Sequence, residues 1–278
     1  MTAPEPSGPA VAVPGVPGLA VHREDGVLRL VLDRPDRLNA VTAAMLHGLA
    51  DQVEAVAADA SVRVVVLTGS GRAFCSGADL AGDGIDPRSL PSPPTLDAAE
   101  RLVHGLQAAP QPVVAAVNGP AVGIGCSIAL ACDLVVAAES AYFLLSFTNI
   151  GLMPDGGATL LVPSSIGRAL AMEMALVPER VPAAQARQWG LIHRAVPDAD
   201  LDGAVSALVA RLAAGPRDAQ AAAKRAVNHA TLPGLDAALA RERAGQVELL
   251  RTADFAEGVA AFAARRPPAF PSAASPPA

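Results

Sequence analysis

The chain has 278 residues, a formal net charge of −6 and a pI near 5.3; it is 51% hydrophobic, 17% charged and only 3% aromatic. That length allows one large domain, two small ones, or one domain with an appended helical piece, over a core built from Ala, Val and Leu. The acidic balance and the lack of any Lys/Arg cluster argue against nucleic-acid and membrane-surface binding.

Residues 1–18 are rich in Pro, Gly and Ala without periodicity, which predicts a disordered tail. No Lys or Arg precedes Arg23 and no apolar stretch is uninterrupted, so no signal peptide is expected here. Residues 27–32 read as a strand, Arg34-Pro35 as a turn, and Thr42 as the cap of a helix reaching about Ala58. The β-branched run 62–68 lacks alternation, as a strand covered on both faces does. Residues 81–96 read as a surface loop. Residues 113–117 and 134–137 read as two more buried strands. Strands separated by helices predict parallel pairing with right-handed crossovers.

From Leu102 to Cys132 no residue is formally charged, a run longer than the roughly 20 residues that span a bilayer. Pro110, Pro112, Pro120, Gly119, Gly123 and Gly125 lie inside it, so it reads as protein core rather than a lipid-facing helix. Beyond about residue 165 helical periodicity dominates: 167–176, 183–189, 201–213, 218–228, 235–250 and 254–264. Helix 235–250 shows a charged face at Asp236, Arg241, Glu242 and Arg243. Residues 267–278 repeat the tail composition. The resulting division is an α/β core over 19–200 and a helical region over 201–266. Cys75, Cys126 and Cys132 match no zinc spacing and read as buried free thiols of a cytoplasmic protein. No metal, flavin or phosphate-loop motif is present in the sequence, so no cofactor is expected.

Two loops leave the carboxyl ends of buried strands: 70–80 (SGRAFCSGADL) and 118–127 (NGPAVGIGCS). Clefts in parallel sheets form at such ends. Glycine there admits close backbone approach, and a helix starting in the second loop leaves N–H groups free. Two such loops could aim two amides at one oxygen, an oxyanion hole. They could equally be only tight turns.

The segments LDRPDRLNA (32–40), VVVLTGSGRAFCSGADL (64–80), PVVAAVNGPAVGIGCSIALACDL (112–134), IGLMPDGGATLLVP (150–163) and QARQWGLIHRAV (185–196) resemble the crotonase, or enoyl-CoA hydratase/isomerase, superfamily in unbroken order. The resemblance implies an α/β fold, a crotonase-like spiral of ββα units with an all-helical C-terminal region, and acyl-CoA thioester substrates. It also implies a homotrimer or dimer of trimers, with contacts from the helical region. The thioester carbonyl would be held by the amides of Ala78 and Ile124. Coenzyme A, as part of the substrate, would meet Arg37, Ala40, Ala78, Asp79 and Leu80. The Asp79 side chain by itself reads as a turn or cap acceptor.

In hydratases of this superfamily two glutamates hold the attacking water, and here those positions are Ser127 and Phe147. Water addition needs a base and an acid, which Ser and Phe do not supply, so efficient hydration is not expected. Asp155 is the remaining carboxylate. Ser127, Phe143, Phe147 and Met153 are expected beside it in the substrate pocket, whose apolar walls would raise its pKa and suit it to moving a proton. A single carboxylate can return elsewhere the proton it removes, so the leading expectation is a shift of an enoyl-CoA double bond, as in fatty acid metabolism. The alternatives are a hydrolase or dehalogenase using Asp155 as nucleophile, and an acyl-CoA-binding homologue without catalysis. Asp155, standing before Gly156-Gly157 and a helical run, could also be only an N-cap.

Overall fold

The computed structural model describes residues 11–80 and 93–274. Residues 1–10, most of the expected loop at 81–96, and the last four residues lie outside that range. Strands β1 (Val11–Ala12), β2 (Leu19–Glu24) and β3 (Val27–Leu32) form an antiparallel meander, so part of the expected N-terminal tail belongs to the sheet. Thr42 caps helix α1 (Ala43–Ala57) by accepting from the Met45 N–H. Strand β4 (Val64–Gly69) then pairs parallel with β3. Helix α2 runs over Pro93–Ala108, so the loop read to residue 96 ends in a helix.

Strand β5 (Val113–Val117) is buried at every position, as a continuous apolar run in a covered parallel sheet should be. The short strand β6 (Ala121–Val122) and helix α3 (Ile124–Leu130) follow, and then β7 (Leu134–Ala138) pairs parallel with β5. Strand β8 (Tyr142–Leu144) leads to helix α4 (Ala158–Leu176), strand β9 (Val181–Pro182), helix α5 (Ala183–Trp189) and strand β10 (Arg194–Val196). The main sheet runs β1-β2-β3-β4-β5-β7-β10, and a smaller one runs β6-β8-β9. The uncharged run 102–132 is thus shared by α2, β5, β6 and α3, and no helix among the described residues is long and apolar enough to cross a membrane.

Helices α6 (Leu201–Ala213), α7 (Arg217–Thr231), α8 (Leu235–Leu249), α9 (Ala253–Ala263) and α10 (Pro271–Ala274) complete the chain. The last of these falls in the segment expected to be a tail. Helix α7 is tied to the sheet by an ion pair: Lys224 Nζ lies 2.8 Å from Asp133 Oδ2, which also accepts from the Val113 N–H. The three cysteines are free and buried, and burial pushes the Cys75 and Cys126 thiols up to about 12.

Candidate active site

Asn39 is fully buried in the left-handed conformation and pins the loop after β4. Its side-chain nitrogen donates to the carbonyls of Ser70 (2.8 Å) and Ala73 (2.7 Å), while its oxygen accepts from the Arg34 N–H. Farther along, the Cys75 N–H donates to Pro120 O and the Val122 N–H to Cys75 O, which zips this loop to the glycine loop after β5. A bridge between Val41 and Ala78 uses the Gly77 carbonyl and the Asp79 N–H. The Ala78 N–H therefore points away from Val41, and it has no backbone partner among the described residues.

Gly123 (φ 55°, ψ −129°) occupies a backbone region closed to residues with a side chain, and it starts α3. Ile124 is the first residue of that helix, so its N–H precedes any carbonyl it could bond within the helix, and it too lacks a backbone partner among the described residues. Gly125 brings α3 against the first loop, since a Cβ there would sit 2.6 Å from Cys75 Cβ. Ala78 and Ile124 both line a cavity of about 280 Å³.

Asp155 lines the same cavity. Its Oδ2 accepts from Gln246 Nε2 at 2.7 Å, and its buried Oδ1 has no partner among the described residues. Burial pushes the carboxyl up to about 7; the Gln246 bond acts downward, while Glu242 and Glu100 add to the upward push. The cap reading does not describe this side chain. Gly157 is the N-cap of α4, and Glu242 on α8 supplies the acceptors: Oε2 for the Gly157 N–H at 2.7 Å, Oε1 for the Thr159 N–H at 2.8 Å. Glu242 is 1% exposed, which corrects its placement on a solvated charged face.

The other expected pocket residues divide. Phe147 and Leu80 line the cavity. Phe143 does not: strand alternation turns Leu144 toward the cavity and Phe143 into the core, where it is 0% exposed. Met153 packs against Gly245 of α8, outside the cavity lining. Ser127 is fully buried behind the site and donates to the Asp155 carbonyl at 2.7 Å, bracing its backbone. Asp79 pairs with Arg34 at 2.8 Å and Arg37 at 3.3 Å. Arg34 also donates to the carbonyl of Ala40. Arg37 is the more exposed of the two arginines. Asn39, Arg34, Glu242 and Gln246 carry no role in the sequence reading. Only Gln246 offered a signal, as the fourth residue after Glu242 on one helix face.

Residues 22–273 match the family model described as Enoyl-CoA hydratase/isomerase. The chain is 46% identical over 246 residues to a probable enoyl-CoA hydratase of Rhodobacter capsulatus, covering 88% of this chain and 95% of that one. It is 42% identical over 253 residues to the 1,2-epoxyphenylacetyl-CoA isomerase of Escherichia coli K12, covering 90% and 96%. A solved structure of an enoyl-CoA hydratase from Mycobacterium avium subsp. paratuberculosis superposes with a TM-score of 0.86 at 48% identity, covering 92% of this chain and 99% of that one.

Proposed function

The chain belongs to the enoyl-CoA hydratase/isomerase family, and from that premise we propose that it shifts the double bond of an enoyl-CoA through an enolate. The reading rests on one observation. Among the described residues, a buried carboxyl with one oxygen held and the other without a partner shares a cavity with two backbone N–H groups that have no backbone partner. The thioester carbonyl sits between the amides of Ala78 and Ile124, which stabilise the negative charge as it develops. Asp155 takes the proton from one carbon and returns it two carbons away.

The relatives carry both hydratase and isomerase names, so their names do not choose the reaction. The cavity wall favours the isomerase: among the described residues Asp155 is its only carboxylate and no His joins it. The same scarcity weighs against the nucleophile reading, since a covalent ester on Asp155 needs a second base to activate water for its release. Coenzyme A would extend past residues 78–80 toward Arg37, and three chains, or two such trimers, would form the working particle.

The test is to incubate the protein separately with a 3-enoyl-CoA and a 2-enoyl-CoA and follow absorbance and mass. Conversion of the 3-enoyl thioester to its conjugated isomer without mass change supports the proposal. Rapid gain of water by the 2-enoyl thioester contradicts it.

A further inference from the structure

We propose that Gln246 is the positioning residue of this site, holding one carboxyl oxygen of Asp155 so that Oδ1 alone exchanges protons with the substrate. This rests on the isomerase reading and deepens it. Gln246 is 0% exposed, on a helix that the sequence places outside the α/β core. Its Oε1 accepts from the Met153 N–H at 3.3 Å, and its Nε2 donates to Asp155 Oδ2 at 2.7 Å. Turning the amide over would set oxygen against carboxylate and nitrogen against N–H, so one orientation satisfies both ends. One turn earlier on α8, Glu242 grips the start of α4 from the other side of Asp155. The carboxyl is therefore bracketed by a single helix and cannot rotate without losing the bond to Gln246.

The charged groups facing Asp155 are Glu242 from α8 and Glu100 from α2, and both disfavour its ionised form. Glu100 is itself opposed by Arg243 and His104 and reinforced by Asp97. Gln246 is the one group among these whose contact favours the carboxylate. A hydrogen bond to a charged group is worth enough to move a titration by about one pH unit.

The experiment is a ¹³C-aspartate NMR titration of the wild type, Gln246→Met and Gln246→Leu, with the Asp155 resonance assigned by its loss in Asp155→Asn. In both Gln246 variants the Asp155 midpoint should rise by about one pH unit or more, and the acid limb of kcat should move with it while KM stays within about twofold. An unmoved midpoint in either folded variant overturns the proposal, even if thermal stability falls. Gln246→Leu removes the donor without adding a charge and decides the matter if Gln246→Met does not fold. The titration is read without substrate, so a wild type inactive on 3-enoyl-CoA counts against the isomerase reading and leaves the NMR result to judge Gln246.

Discussion

At Asp155 the demands of folding and of chemistry pull apart. A carboxyl whose folded pKa is about 7 binds a proton in the native state that the unfolded chain, titrating near ~4, has already lost. Stability from this group is therefore highest below about pH 4 and falls as pH rises toward about 7, staying lower above it. The neutral variant Asp155→Asn should resist urea better than the wild type at pH 7, by a few kcal/mol at most, with the difference vanishing near ~pH 4. Urea midpoints at the two pH values check this; a variant less stable at both would show that the carboxylate is a structural acceptor. Activity carries the opposite sign, since proton removal needs the ionised form: kcat should fall as pH drops through about 7.

Helix α4 shows how far an element's start can depend on a distant residue. The sequence places a helix from Gly167, where the observed helix kinks (φ 76°, ψ 169°), but the stretch from Ala158 is obscured by Pro163 and the two preceding glycines. Its first amides are satisfied by Glu242, more than eighty positions later, a partner that periodicity cannot reveal. Charge alone put Glu242 in solvent, because only tertiary packing shows that its acceptors are used. Glu242→Ala should cost about 2–3 kcal/mol, since it strands two backbone N–H groups and the Thr159 hydroxyl. It should also lower the acid limb of the pH–rate profile, because a like charge beside Asp155 is removed. Chemical denaturation and kcat against pH measure the two effects. By contrast β3, β5 and α1 were legible residue by residue, because Val-rich runs and the Thr42 cap are local signals.

Across the whole molecule polar links join the helical third to the α/β core, and those from α8 reach the site. The Lys224–Asp133 pair anchors α7 at β5, while Glu242 and Gln246 bring α8 to the floor of the cavity. Removing one partner of a buried pair leaves the other charge uncompensated, so Lys224→Met should destabilise the fold by about 3 kcal/mol, seen as a lower urea midpoint, while Asp133 loses its counter-ion. The family was readable from motif order, and Ala78 and Ile124 both line the cavity. Phe143, Met153 and Ser127 were misplaced because proximity in sequence does not say which side of a strand or turn faces the cleft.

The central claim is that one carboxylate carries the proton in a cavity whose amides hold the carbonyl. Turnover of 3-enoyl-CoA by Asp155→Asn, measured beside its thioester affinity, tests this most directly. The account predicts a loss of about 10²–10⁴ in kcat with affinity nearly unchanged. Wild-type turnover by the variant would contradict it and move the chemistry to another group.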